Sequence, residues 1–236
     1  MQLKLKFSML TTGVITRGTT KGESKFVPMT PTDLHARVSA GRAMMEYVLG
    51  TGRYDLFEGV NLNLNFPSVV ATLDCGGQTV SYGYSSGTYA RLNPMLDQSS
   101  LVPKQEDIDA IGSGITKADW ERRFELVYQK ALDQNVVATM GVTPVILSWA
   151  RYVQRKHRKK PLDLWNFRVL FCTSVRKIQF RYAPLLQKLF GKAPIVEIYS
   201  ATEGVFGQQL DDLPYVSPNY DKYLFEVEMG RGTKML

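Results

Sequence analysis

Residues 16–25 read TRGTTKGESK, with two glycines, three threonines and two lysines in ten positions. Glycines let backbone N–H groups approach an anion without a Cβ atom in the way. Threonine hydroxyls add donors, and Lys25 adds a positive charge. The composition is therefore that of a phosphate-binding loop. A surface hairpin or turn is the alternative interpretation, because glycine and threonine are also common there.

Two better-known phosphate motifs do not fit the sequence. GVITRGTT (13–20) has the glycine spacing of a P-loop, but Thr19 stands where that motif requires a lysine. Gly112-Ser113-Gly114 lacks the third glycine and the preceding strand of a dinucleotide-binding fingerprint. The loop at residues 16–25 is therefore neither a P-loop nor a dinucleotide-binding loop.

A second polar segment, YSATEG, occupies residues 199–204 at the end of a strand-like run. A carboxylate beside phosphates is repelled unless a cation lies between them. Glu203 next to a nucleotide would therefore indicate Mg²⁺, which prefers carboxylate and phosphate oxygens. An acidic residue that caps a turn is the alternative interpretation of Glu203 alone.

The elements that must position these residues are clearest in the second half of the chain. VVATM (136–140, ended by Gly141), FRVLFC (167–172) and IVEIYS (195–200) are apolar runs typical of buried strands. A helix opens at Thr143-Pro144 and runs into residues 151–160, and a second helix ends near Gly191. The β-α-β-α-β order predicts a parallel sheet with right-handed crossovers.

Ligands of parallel sheets bind beyond the carboxyl ends of the strands. We therefore expect three segments to meet at one edge of the sheet. They are Gly141-Val142-Thr143, Thr173-Ser174 and residues 200–204.

Helix signals flank this region. Thr116 and Asp119 have capping-box spacing before a helix that extends toward residue 135. Thr30 and Pro31 predict a helix start, so residues 31–49 are expected to form an amphipathic helix. Its expected apolar face consists of Leu34, Val38, Met45 and Val48. Residues 50–104, with β-like runs VVATL and TVSYGY, are expected to form irregular strands and loops.

Two segments and their flanks resemble the motifs of a known enzyme family. TRGTTKGESKFVPMT resembles the phosphate-binding signature T-S-G-T-[ST]-G-x-x-K of acyl-adenylate-forming enzymes, the firefly luciferase-like superfamily. With the trailing FVPMT it is similar to the auxin-responsive acyl acid amido synthetases, plant-type amino-acid-conjugating enzymes. EIYSATEG resembles the second nucleotide motif of that family. The flanks LWNFRVLFCTSVRKIQFRYAPLLQKLFG and PYVSPNYDKYLFEVE resemble its sequence on either side of that motif, so the resemblance covers most of the chain.

The resemblance implies an ATP-dependent reaction in two steps. A small carboxylic acid is adenylated with release of pyrophosphate, and an amine or amino acid then displaces AMP to form an amide. It implies ATP/AMP and Mg²⁺ as cofactors, with Mg²⁺ on Glu203. Catalytic roles fall on Glu203, Thr202 (near the α-phosphate) and Lys25. Nucleotide-binding roles fall on Thr16, Gly18, Thr19, Thr20, Gly22, Tyr199 (near the adenine) and Ser200. By position alone, Gly141 and Thr143 are expected to line the acyl pocket.

The resemblance also implies a fold, an α/β domain with a mostly parallel sheet and helices on both faces, like the large N-terminal domain of these enzymes. We expect residues 1–236 to form a single partial nucleotide-binding domain. Residues 1–110 would hold the phosphate loop and an irregular β-rich part, and residues 111–236 the βαβαβ part. Relatives carry a helical region before the loop and a mobile C-terminal lid domain, and neither is expected here.

Two departures keep a second function open. Arg17 and Lys21 replace small residues of the family's loop, and Cys172-Thr173-Ser174-Val175 replaces a glycine-containing turn. The extra cations would bind phosphates more tightly or block the usual approach of the phosphates to the loop. These cations, together with the lid domain that is not expected here, motivate the alternative of a truncated, non-catalytic member that acts as a nucleotide-, ligand- or partner-binding domain.

Composition limits the other classes of function. The sequence is 44% hydrophobic and 22% charged, has no apolar run near the roughly 20 residues of a membrane span, and predicts a cytoplasmic protein. Its two cysteines have neither metal-ligand spacing nor the number needed for a disulfide framework. Six of the cations behind the net charge of +7 lie in RYVQRKHRKK (151–160). We expect a solvated helix end there rather than a nucleic-acid site, because no recognition motif accompanies the cluster.

Overall fold

The computed structural model describes residues 12–16, 25–74, 77–93, 97–229 and 232–235. It has the predicted fold class, with helices packed on both faces of a mostly parallel sheet. The helices are α1 (Pro31–Gly50), α2 (Ser85–Leu92), α3 (Gln105–Ala110), α4 (Lys117–Ala131), α5 (Thr143–His157), α6 (Ile178–Arg181) and α7 (Ala183–Phe190).

The strands fall into separate sheets. In chain order they are β1 (Thr12–Ile15), β2 (Phe26–Met29), β3 (Val60–Asn63), β4 (Ala71–Asp74), β5 (Thr79–Tyr84), β6 (Leu101–Val102), β7 (Val136–Val142), β8 (Val169–Thr173), β9 (Ile195–Ala201), β10 (Gly204–Gln208), β11 (Ser217–Pro218), β12 (Glu226–Met229) and β13 (Gly232–Met235). The central sheet has the order β11-β10-β9-β8-β7-β3-β6.

The predicted βαβαβ unit forms the middle of the central sheet. Strands β6, β3, β7, β8 and β9 are parallel, and β10 and β11 add antiparallel strands at one side. One boundary was predicted wrongly. Strand β7 does not end at Gly141, because Gly141 and Val142 continue the ladder opposite Cys172 and Thr173 of β8.

Apolar residues cover both faces of the central sheet, which explains why its strands lack polar alternation. One face packs under α4, α5 and α7, with Phe124, Trp149 and Leu186 among the buried side chains. The other face packs under α1, through Met44 and Val48. Within the described ranges, no helix is both long and apolar enough to cross a membrane.

Residues 50–104 are more regular than predicted. They supply β3 and β6 to the central sheet and also contain helix α2. The sequence SSGTYARL of α2 has no apolar stripe, because the helix buries the small residues Gly87, Thr88 and Ala90. A Cβ atom at Gly87 would clash with the carbonyl oxygen of Phe66, so the helix can approach that backbone only as glycine.

A smaller sheet, of order β2-β1-β5-β4, carries the predicted phosphate loop. Strands β1 and β2 are antiparallel neighbours, and β1 runs parallel to β5. Strands β1 and β2 therefore form a β-hairpin, and Thr16 and Lys25 are the described ends of its connection.

Helix α1 begins where the sequence predicts. The Thr30 hydroxyl accepts a hydrogen bond from the Asp33 backbone N–H (3.2 Å), and a proline occupies the first turn. Its buried face consists of Arg37, Ala40, Met44 and Val48, of which only Val48 was predicted. The prediction placed only apolar residues on this face, whereas a buried arginine takes one of the positions because its guanidinium has partners there.

Candidate functional site

The carboxyl ends of three neighbouring strands meet as the sequence predicts. The Thr143 hydroxyl, at the end of β7, donates a hydrogen bond to the Thr173 carbonyl at the end of β8 (2.8 Å). The Thr173 hydroxyl in turn shares a hydrogen bond with the Ser200 hydroxyl of β9 (2.7 Å). A row of hydroxyl groups therefore runs across β7, β8 and β9 at the edge where ligands of parallel sheets bind.

The second predicted motif forms the turn between β9 and β10. Thr202 and Glu203 are the turn residues, with the Glu203 side chain exposed to solvent. Glu203 forms no ion pair with any other described residue. The Tyr199 ring is 56% exposed and lies 5.5 Å from the Phe206 ring, centroid to centroid. The turn therefore presents an aromatic face and a carboxylate to solvent.

The two ends of the first predicted motif close the β1–β2 hairpin. The Thr16 N–H donates to the Lys25 carbonyl (2.9 Å), and the Lys25 N–H donates to the Thr16 hydroxyl (2.9 Å). The Thr16 hydroxyl therefore has a structural partner, while the Lys25 side chain is exposed. Gly18, Thr19, Thr20 and Gly22, with Arg17 and Lys21, lie outside the described residues, so their predicted roles stay predictions.

Helix α1 connects the exit of the hairpin to the second motif. It starts right after β2 and packs against β10. Arg37 donates from one guanidinium nitrogen to the Thr202 carbonyl (2.7 Å) and from Nε to the Asp33 carboxylate (2.9 Å). The buried Arg37 side chain thus ties the second motif to α1, the helix that follows the hairpin.

Arg37 and Asp33 were not predicted as members of this region. The only sequence signal was their spacing of four residues, which places an acid and a base next to each other on a helix. That signal is common on exposed helix faces. Nothing in it indicates that Arg37 is 3% exposed or that its partner lies near residue 200.

The central sheet reverses its winding direction at β3. From β3 the chain proceeds to β6 on one side, and it then returns to β7 on the other side. Such a switch point opens a crevice at the carboxyl ends of the two strands. Gly141 lies at this position in β7, and a Cβ atom there would meet no atom within 4 Å apart from its chain neighbours.

The turn after β8 has an unusual backbone. Ser174 and Lys177 adopt φ angles of 76° and 60°, a region that residues other than glycine rarely occupy. Glycine is the usual residue for such angles. The glycine-containing turn expected from the family is thus replaced by a strained one at the same edge of the sheet.

The acid–base properties at this edge argue against a cysteine nucleophile. Burial raises the pKa of the Cys172 thiol to about 12, with the hydrogen bond to Thr143 opposing that shift. The reactive form of cysteine is the thiolate, so Cys172 is unreactive at neutral pH. Burial also raises the pKa of the Glu197 carboxyl group, which lies on the neighbouring strand β9.

The basic segment 151–160 has acidic neighbours on α4. The Glu125 carboxylate contacts Lys156 (3.1 Å) and His157 (2.9 Å), and Glu121 lies 3.7 Å from Arg155. These contacts come in the last turn of α5, where cations also favour the helix dipole. They favour the helix-end interpretation over a nucleic-acid site.

A separate cleft of about 610 Å³ opens at the opposite edge of the central sheet. Its lining includes Arg168 and Pro194, the residues that directly precede β8 and β9, together with Trp165, Phe167 and Lys192. It contains none of the residues predicted for the nucleotide site. The predicted segments at the ends of β7, β8 and β9 meet instead at the carboxyl edge.

The side chains at the carboxyl edge determine whether the implied Mg²⁺ could bind there. Among the described residues, no group of three or more His, Cys, Asp or Glu side chains could hold a metal ion. Mg²⁺ bound to a nucleotide needs fewer protein ligands, since it takes one or two carboxylates together with phosphate oxygens and water. The exposed Glu203 fits that requirement and does not fit a dedicated metal cage.

Comparison with known proteins supports the fold. No family model matches the sequence, and no curated protein matches it. Solved structures do match, among them the acyl acid amido synthetase AtGH3.15 in complex with 2,4-DB, with a TM-score of 0.68 and 13% sequence identity. The match covers 96% of this chain and 48% of that one, so this chain spans about half the length of the structure that it matches. The shared feature is the fold, a mixed α/β domain of the kind found in acyl acid amido synthetases.

Proposed function

We propose that the chain is the nucleotide-binding core of an acyl-adenylating amido synthetase. In the first step a carboxylate oxygen attacks the α-phosphorus of ATP, and pyrophosphate leaves. In the second step an amine attacks the acyl carbon, AMP leaves and an amide forms. The substrates are a small carboxylic acid and an amine or amino acid.

The convergence of polar segments at one edge of the sheet carries this proposal. The hydroxyl row of Thr143, Thr173 and Ser200 lies beside the Thr202–Glu203 turn. Arg37 connects that turn to the helix that follows the predicted phosphate loop. The Thr143 hydroxyl donates within the row, which leaves the free hydroxyl proton of the Thr173–Ser200 pair as a donor. That hydroxyl, backbone amides and a lysine are donors suited to the charge that gathers around phosphorus in the transition state.

Each residue has a role under this proposal. Thr16, Lys25 and the glycines and threonines at 18–22 bind the β- and γ-phosphates, Tyr199 stacks on the adenine, and Thr202 and Ser200 donate to the α-phosphate. Glu203 is the protein ligand of Mg²⁺. The metal, when bound, neutralises phosphate charge and so lowers the barrier to attack by the carboxylate.

Calorimetry with AMP and with Mg²⁺–ATP tests the nucleotide site. We expect binding by the wild type and a loss of Mg²⁺–ATP affinity of about ten-fold or more in Glu203→Ala, because the variant lacks the carboxylate that holds the metal. Glu106→Ala is the matched control, since its side chain is 78% exposed and lies on α3. No nucleotide binding by the wild type, or equal affinity in both variants, would count against the proposal.

A second candidate is a member of this fold that binds nucleotide without catalysis. The cations Arg17 and Lys21, where the resembled family has small residues, favour it. Exchange of labelled pyrophosphate into ATP separates the two candidates. Acid-dependent exchange by this chain supports the synthetase, whereas nucleotide binding without exchange supports the second candidate.

A further inference from the structure

We infer that Arg37, held by Asp33, is a positioning residue that sets the Thr202–Glu203 turn relative to helix α1 and the exit of the β1–β2 hairpin. The inference rests on the proposed function, because positioning matters only if both segments bind one ligand. Arg37 itself lies behind the turn and is 3% exposed, so it acts through the backbone of the turn rather than on the ligand.

The surroundings of Arg37 fix its side chain. An arginine remains charged at all physiological pH values, and a buried charge is costly unless it is paired and hydrogen-bonded. Asp33 supplies the counter-charge at 2.9 Å, one helical turn away on α1. Tyr89 of α2 does not compete as an anion, because burial raises its pKa to about 12 even though the charge of Arg37 opposes the shift.

The second partner of Arg37 is a main-chain atom of the candidate site. The Thr202 carbonyl accepts the 2.7 Å hydrogen bond, and this carbonyl shares a planar peptide group with the Glu203 N–H. Holding the oxygen therefore sets the orientation of the peptide that joins the two predicted catalytic residues. A charge-assisted hydrogen bond is about twice as strong as a neutral one, so the orientation is well defined.

Helix α1 transmits this constraint to the hairpin. Arg37 lies two turns into α1, and α1 is joined to β2 by Thr30 alone, which caps the helix. The hairpin exit and the turn therefore belong to one connected unit. A displacement of about 1 Å between binding groups can cost on the order of a hundred-fold in rate, so loss of the connection should weaken nucleotide binding and catalysis.

The test uses Arg37→Gln and Arg37→Lys, with Arg123→Gln as a matched control. Arg123 is 2% exposed and also donates to main-chain carbonyls, those of Gly112 and Gly114, away from the site. Both glutamine variants should lower the midpoint of urea unfolding. Of the two glutamine variants, only Arg37→Gln should lower Mg²⁺–ATP affinity, by about ten-fold. The affinity of Arg37→Lys should lie between those of the wild type and Arg37→Gln, because lysine keeps the charge without the planar fork.

Amide hydrogen exchange gives a readout that does not depend on the ligand. In Arg37→Gln, exchange at residues 202–205 should accelerate by about ten-fold or more, whereas Arg123→Gln should leave these amides unchanged. If the wild type binds no nucleotide, the proposed function fails while exchange still decides whether Arg37 holds the turn. Unchanged exchange in both Arg37 variants, or unchanged Mg²⁺–ATP affinity beside accelerated exchange, would overturn the inference. If Arg37→Gln does not fold, Arg37→Lys replaces it in both the affinity and the exchange measurements.

Discussion

At the scale of single residues, the site depends on small residues that leave space for a ligand and on polar side chains that form hydrogen bonds between neighbouring strands. Gly141 illustrates the first kind, since it lies at the switch point with space where a side chain would be. Thr143, Thr173 and Ser200 illustrate the second, because one hydroxyl row bridges three strands. The order of strands and helices in the sequence predicted that these segments meet, whereas the individual hydrogen bonds between them could be read only from the structure.

Substitution of Gly141 should separate stability from substrate use. Gly141→Ala should raise the free energy of unfolding by up to about 1 kcal/mol, because glycine weakens a strand and the added methyl group has space. Gly141→Val should remain folded but lower acid-dependent pyrophosphate exchange by about ten-fold, because its larger side chain fills the crevice. Urea unfolding and pyrophosphate exchange measure the two effects.

Gly50→Val is the matched control for that experiment. Gly50 also has open space around its Cβ position, but it lies at the end of α1. It should leave exchange unchanged. Equal effects of the two valine variants on exchange would show that Gly141 does not line the substrate site.

At the scale of elements, the Glu125 carboxylate makes several contacts between α4 and α5. Glu125 of α4 accepts hydrogen bonds from Tyr152 (2.7 Å) and Lys156 (3.1 Å) of α5 and contacts His157 (2.9 Å). Burial alone would raise the pKa of Glu125, but the hydrogen bonds from Gln129 and from these three residues lower it to about 2. The ionised form of Glu125 is therefore the form that stabilises the folded protein.

This shift predicts a pH dependence of stability. Because the folded pKa lies below the unfolded value, the contribution of Glu125 is complete above about pH 4.5 and is lost as the pH falls toward 2. Glu125→Gln should lower the free energy of unfolding at pH 7 by roughly 1–3 kcal/mol and reduce the loss of stability between pH 5 and 3. Urea unfolding across that range measures both effects.

The exposed Glu121, which lies 3.7 Å from Arg155 on the same pair of helices, provides the control. Glu121→Gln should change stability by less than about 1 kcal/mol, since exposed ion pairs contribute little. If Glu125→Gln retained the full acid dependence of the wild type, the interaction between α4 and α5 would not depend on this carboxylate.

Elements with local signals were predictable from the sequence. The capping box of Thr116 and Asp119 and the cap at Thr30 mark helix starts that the structure contains, and the apolar runs 136–140, 167–172 and 195–200 became β7, β8 and β9. Short strands such as β3 and β6 were missed because their pairing partners, rather than their composition, make them strands. Arg37 was missed for a related reason, since its burial depends on a carbonyl 165 residues away.

At the scale of the whole molecule, the predicted segments lie on two sheets that helix α1 joins along the chain. The small sheet carries the hairpin, the central sheet carries the hydroxyl row and the Thr202–Glu203 turn, and α1 connects them. The fold is shared with an acyl acid amido synthetase of about twice the length. A common fold hosts many functions, so the proposed activity depends on the site rather than on the fold.

The location of bound AMP tests the proposed site most directly. In a crystal structure of the complex, we expect the phosphate within hydrogen-bonding distance of Ser200 and Thr202, with the adenine against Tyr199. AMP bound instead in the cleft beside Trp165 and Lys192, at the opposite edge of the central sheet, would contradict the proposed site.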